Sequence, residues 1–183
     1  MSFCPKVFLA LFACAFAGFA GGTARADYLY VTNFSQPYIP DAISTIAPDG
    51  TVSTFATGFD DPHGIAFDEN GNLFVANAIC NYLSEVSPSG MVTPFAPGVS
   101  ANQGIAFDSK GDLFVADGLA NVVREITPQG VVSTFATGFD SPGYIAFDQQ
   151  GNLYVANFFG NTVSEVGPNG GMATTFATGL HYP

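Results

Sequence analysis

The 183-residue chain has no tryptophan, two histidines, three cysteines and only four basic side chains. Each shortage removes a class of function. Zinc takes three or four nitrogen, sulfur or carboxylate ligands. His63 and His181 fall at unlike places, and residues 101–183 have no histidine matching His63. The same scarcity leaves a Ser-His-Asp triad unassignable, and neither G-x-S-x-G nor H-E-x-x-H occurs. Fifteen acidic side chains against four basic ones give a net charge of −11, which excludes nucleic acid and anionic membranes as partners. Cys4 and Cys14 stand within the first 26 residues, so Cys80 is alone thereafter and has no disulfide partner. Cys80 reads as a small, partly buried apolar residue; a nucleophilic role would need an activating neighbour.

Apolar residues are plentiful by contrast, at 48% with 19 Phe and 7 Tyr, so a substantial core is expected and disorder is not. Residues 1–26 differ from the rest: Lys6, then an uncharged run of fourteen at 7–20, then Ala24-Arg25-Ala26. This pattern predicts a secretory signal peptide, and the run is too short to span a bilayer. Lipidation at Cys14 fits poorly, because Phe12 precedes it and the apolar run continues beyond it. The expected location is outside the cytoplasm: secreted, periplasmic or on the cell surface. From Asp27 onward only Lys110 and Arg124 are basic, and the net charge of that part is −13. Asn33-Phe34-Ser35 is a glycosylation sequon that matters only in a eukaryotic secretory host.

A forty-residue period organises this part. Ile65, Ile105 and Ile145 recur at that spacing, as do Phe67, Phe107 and Phe147, and Leu73, Leu113 and Leu153. Residues 52–60 return letter for letter at 132–140, whereas Phe176 comes one position late, after Gly170-Gly171. Each unit predicts four short strands: residues 64–68, 73–77, 83–87 and 91–96 in the best example, joined by turns such as 68–72 and 88–90. Four strands per forty residues match a propeller blade, and no 3.6-residue period competes. The first two strands are apolar on both faces and belong nearest the axis. The last two carry Ser84, Glu85 and Thr93, with Pro94 on an expected edge strand. The three isoleucines are expected to line a common centre.

The fold class is therefore all-β, a β-propeller of four-stranded antiparallel blades. About four are present: residues 27–60 as a partial blade, then 61–100, 101–140 and 141–183. The first blade lacks its inner strand, and the count is fifteen strands. The expectation is a piece of a six-bladed ring; a four-bladed ring with one incomplete blade, or closure by self-association, is the alternative.

Pro62-His63-Gly64-Ile65-Ala66-Phe67-Asp68, followed by Gly71-Asn72-Leu73-Phe74-Val75-Ala76-Asn77 and Asn81, resembles an NHL repeat. The later units repeat the pattern, and the resemblance covers nearly all of the chain after residue 26. It implies kinship in shape with gluconolactonase-like and streptogramin-lyase-like propellers, and with the amidating lyase that holds zinc by propeller histidines. The chain departs from these relatives in places. It lacks the second-strand tryptophan of the lyase-like repeats and the basic face of RNA-binding NHL domains, and the third-strand arginine appears only at Arg124.

In a meander, the loop into each inner strand and the loop after each second strand share one face. His63, Asn102, Gln103, Ser141 and Tyr144 come from the first kind; Asn77, Asp117 and Asn157, with Asn33, Asn81, Asn121 and Asn161, from the second. Convergent polar groups at an axial mouth make the default binding site, although Asn and Asp also cap strand ends. Asn77, Asp117 and Asn157 are the candidate donors for a calcium ion, which takes ~6–8 oxygens. Gluconolactonase-like relatives hold an axial ion with Asn, Asp and Glu, and no inner-strand Glu is present here. The expected function is an exported, non-catalytic binding or scaffold module for a protein, a glycan or a small molecule. The alternative is a metal-dependent lactonase or streptogramin-lyase-like enzyme of the six-bladed class.

Overall fold

The computed structural model describes residues 28–33, 41–99 and 101–183, with the backbone alone for Pro97 and residues 101–103. The leader, Cys14 and Ser35 of the sequon lie outside the described residues. Among those described, every regular element is a strand.

Four sheets succeed one another along the chain. The first holds β1 (Leu29–Asn33), β2 (Ala42–Ile46) and β3 (Val52–Thr57); the second holds β4 (Pro62–Phe67), β5 (Leu73–Asn77), β6 (Tyr82–Val86) and β7 (Val92–Pro97). The third holds β8 (Ala101–Phe107), β9 (Leu113–Asp117), β10 (Val122–Ile126) and β11 (Val132–Thr137). The fourth holds β12 (Pro142–Phe147), β13 (Leu153–Asn157), β14 (Thr162–Val166) and β16 (Thr174–Ala177). Strand order within each sheet follows the chain, and neighbours are antiparallel, which makes each sheet a propeller blade. The strand read as outermost is outermost, and Pro94 lies on it opposite Ser84. The inner strands begin earlier than the apolar pattern implied, at Pro62, Ala101 and Pro142.

One strand was not legible in the repeat. β15 (Gly171–Met172) pairs in parallel with β11, the rim strand of the preceding blade. The residue inserted at Gly170-Gly171 gives this segment enough slack to cross the joint, and Ala173 N–H donates to the Thr137 carbonyl at 2.9 Å. The described strands therefore number sixteen.

The core is divided among three joints between successive blades. Strand residues alternate faces, so β5 sends Leu73 and Val75 toward the first blade and Phe74 and Ala76 toward the third. All five of its residues are buried. The isoleucines follow the same rule. Ile65, Ile105 and Ile145 belong to three different joints and do not meet at a common centre. Inner-strand side chains stand perpendicular to their sheet, hence toward neighbouring blades rather than toward the axis.

A repeated aromatic triad builds each joint. Tyr30, Phe74 and Phe114, from the second strands, meet the rim phenylalanine of their own blade edge-on: Phe55, Phe95 and Phe135, at centroid distances of 5.1, 4.9 and 4.8 Å. Each also meets the inner-strand phenylalanine of the following blade: Phe67, Phe107 and Phe147, at 4.8, 5.2 and 4.8 Å. Such pairs contribute ~0.5–1.5 kcal/mol beyond area burial. Near the axis the strands close up through small residues. A Cβ on Gly104 would stand 2.5 Å from the Gly143 carbonyl oxygen, so only glycine permits this approach of β8 to β12.

Phe114 is 2% exposed at the centre of one triad, whereas Phe176 on the last rim strand is 60% exposed. Phe114→Ala should lower stability by ~3–5 kcal/mol. Phe176→Ala should change it by less than ~1 kcal/mol. Urea midpoints of the two variants check the contrast.

Candidate functional site

The loops leading into the inner strands and those following the second strands lie at the same end of the blades, as the antiparallel register requires. Several of the polar side chains described there are engaged within the fold.

Asn77 is fully buried. Its Oδ1 accepts Asp60 N–H at 3.0 Å, and its Nδ2 lies 3.0 Å from Ser84 Oγ and 3.3 Å from the Tyr82 carbonyl. Asn157 repeats the arrangement, accepting from Asp140 N–H at 3.3 Å and donating to Ser164 Oγ at 2.8 Å and Thr162 Oγ1 at 3.0 Å. In the first blade Asn33 donates to Ser44 Oγ at 2.8 Å. The third blade uses different chemistry at the same place. Buried Asp117 accepts Ala120 N–H at 2.9 Å and pairs with Arg124, whose Nε is 3.3 Å away. Arg124 also donates to Thr134 Oγ1 at 2.9 Å. Where the asparagine becomes aspartate, the facing serine becomes arginine. Each pair pins the second strand to the third.

The three candidate calcium donors all have partners within the fold. The Oδ1 atoms of Asn77 and Asn157 already accept backbone N–H groups, and the Asp117 carboxylate already faces a guanidinium. Among the described residues, no three His, Cys, Asp or Glu side chains gather where they would hold a metal ion.

A second set ties chain segments together, and two of its three bonds cross from one blade to the next. Asn121 Oδ1 accepts Ser141 N–H at 2.7 Å, Asn161 Oδ1 accepts Tyr182 N–H at 3.0 Å, and Asp41 Oδ2 accepts Asp61 N–H at 2.6 Å. Asn121 and Asn161 have φ of 56° and 53°, which asparagine tolerates better than most residues. Ser141 has its N–H engaged in this way, and its carbonyl accepts Phe158 N–H at 2.9 Å. Asp41 is not among the expected site residues, although it stands forty residues before Asn81.

Of the remaining candidates, His63 Nε2 lies 3.4 Å from Asp61 Oδ2, with both side chains partly open to solvent. Tyr144 is 36% exposed, and its partial burial raises the phenol above its ordinary pKa. Asn102 and Gln103 lie on β8, with side chains outside the described residues. Cys80 is exposed rather than partly buried, and its thiol donates to the Asp60 carboxylate. That hydrogen bond, with a smaller contribution from desolvation, raises the thiol pKa, the opposite of what a nucleophile needs.

The pin chemistry makes a direct prediction. Arg124→Ser leaves the buried Asp117 carboxylate facing a hydroxyl in place of its guanidinium, and should cost ~1–3 kcal/mol. The double variant Asp117→Asn/Arg124→Ser recreates the pair used by the second and fourth blades and should recover most of that loss. Chemical denaturation of both variants checks it.

No family profile matches the sequence, and no curated protein does. Solved structures do match. Virginiamycin B lyase from Staphylococcus aureus superposes with a TM-score of 0.66 at 19% identity, over 81% of this chain and 52% of that one. An auxiliary nutrient binding protein from Bacteroides thetaiotaomicron gives 0.68 at 13% identity, over 83% and 44%. A protein described as a gluconolactonase gives 0.66 at 13% identity, over 85% and 61%. The chain thus spans about half the length of these structures. At such identities the likeness establishes shape alone. The chain is a multi-bladed β-propeller of the form shared by streptogramin B lyases and gluconolactonase-like proteins.

Proposed function

We propose that the protein is an exported propeller that binds a protein, glycan or small molecule and does not itself turn over substrate. One observation carries the reading: the amides and carboxylates that would equip an axial mouth for metal-assisted chemistry, at Asn77, Asp117 and Asn157, are committed to pinning strands. The leader-like residues 1–26 support export. The NHL-like repeat supports a recognition role. Shape likeness to a nutrient-binding propeller is compatible with it.

A second reading rests on His63. A histidine-to-alanine variant of virginiamycin B lyase is catalytically inactive and was crystallised with quinupristin. The His63–Asp61 pair lies at the start of the inner strand β4 and has the makings of a general base.

Two measurements on the purified full chain separate the readings. A metal bound at 100 times its Kd adds ~2.7 kcal/mol, which for this size raises Tm by about 5–10 °C. We expect calcium and EDTA to leave Tm unchanged. We also expect neither quinupristin nor a sugar lactone to be consumed. Turnover of either that disappears in His63→Ala would replace the first reading with the second.

A further inference from the structure

The three joints are not equivalent. In two of them, the rim turn of one blade is pressed against the outer strand of the blade before it. A Cβ on Gly90 would stand 2.8 Å from the Phe55 carbonyl oxygen, and one on Gly170 would stand 2.3 Å from that of Phe135. At the joint between the second and third blades, the corresponding Gly130 meets only the edge of the Phe95 ring, at 4.0 Å.

The difference accompanies one proline. In the first, third and fourth blades the outer strand bulges at its phenylalanine, so Phe55, Phe135 and Phe176 are the extra residues. In β7 the residue before Phe95 is Pro94, where the sister strands have Thr54 and Thr134. Proline has no N–H to give to the ladder. Here the bulge moves one residue on, to Ala96 with φ of 41°, and Phe95 pairs with Leu83. The rim turn stands off, and a cleft of about 340 Å³ opens between the two blades.

The triad Phe74, Phe95 and Phe107 lines the cleft. Asp68, Glu69, Glu85 and Lys110 complete its charged wall, three carboxylates to one ammonium. Asp68 is engaged in its own turn, accepting the N–H groups of Asn70 and Asn72 at 2.9 and 2.8 Å. Glu85 is placed differently. It faces Phe74 across the ladder, whereas its counterpart Glu165 faces Tyr154 and accepts the phenol hydroxyl at 3.1 Å. Phe74 has no hydroxyl, so the Glu85 side chain lacks that donor.

Aromatic faces beside carboxylates favour cations with an apolar body. The ring quadrupole attracts the charge, and the carboxylate completes the pairing. The cleft also lies at the lower end of the ~300–1,000 Å³ range of small-ligand pockets. We propose that this inter-blade cleft binds an organic ammonium ion. The site is distinct from the axial face and goes beyond the function proposed above.

Choline is the probe, and 3,3-dimethylbutan-1-ol, its uncharged carbon isostere, is the control. Chemical-shift titration of the full chain should give saturable choline binding, with perturbations confined to the second and third blades. The alcohol should bind at least about tenfold more weakly, the cation–π and carboxylate contributions being lost together. Glu85→Gln should weaken choline by about five- to tenfold, and Glu165→Gln should leave it unchanged. Pro94→Thr, which installs the residue of the sister strands, should restore the bulge at Phe95, close the cleft and reduce binding while the chain stays folded. Equal affinity for the two probes, no saturation by 10 mM choline (about the weakest binding worth calling specific), or full affinity in Glu85→Gln would each overturn the proposal.

Discussion

A propeller blade has no interior of its own. The described sheets are three to five strands wide and one layer thick, so their apolar faces are buried by neighbouring blades. The edge-to-face aromatic triad is the recurring contact that makes this possible. A single ring from the second strand holds its own rim and reaches into the next blade. Stability is consequently local to the joints, as in other repeat architectures, where nearest-neighbour interfaces supply most of it.

That constraint also decides what the polar residues do. A meander brings many strand ends to one face, and every end carries backbone groups that need partners. Asn77 and Asn157 accept N–H groups from the end of the preceding blade, Asp41 and Asn121 accept N–H groups from the start of the following one, and Asn161 accepts that of Tyr182. Side chains that could have been ligands are structural fasteners. His63 with Asp61 stands outside the fasteners. So does the opened joint between the second and third blades. A repeat makes such departures informative, because the sister blades serve as internal controls. Phe95 differs from Phe55 and Phe135 in its neighbour Pro94, and Glu85 differs from Glu165 in facing Phe74 rather than a tyrosine.

Much of the architecture was legible in the order of residues. The forty-residue period, the two-sided apolar character of residues 73–77 and the edge position of Pro94 follow from rules that act within one strand or one turn. The swap of Asn and Ser for Asp and Arg at 117 and 124 was equally visible, since the seven-residue spacing is shared by 77 with 84 and 157 with 164. The three isoleucines were misplaced for a simple reason. Periodicity assigns residues to a face of a strand but cannot say what that face meets. The direction of a side chain relative to an axis exists only once blades are stacked.

By itself, then, the sequence determined that the chain is built of short antiparallel strands in repeated blades, because turn chemistry and alternation are local properties. Tertiary structure decided which partners the asparagines took, how the inserted glycine carried β15 across to β11, and which joint stood open. Those outcomes depend on distances between atoms seventeen or more residues apart in the chain. Only the packing of one blade on the next sets such distances.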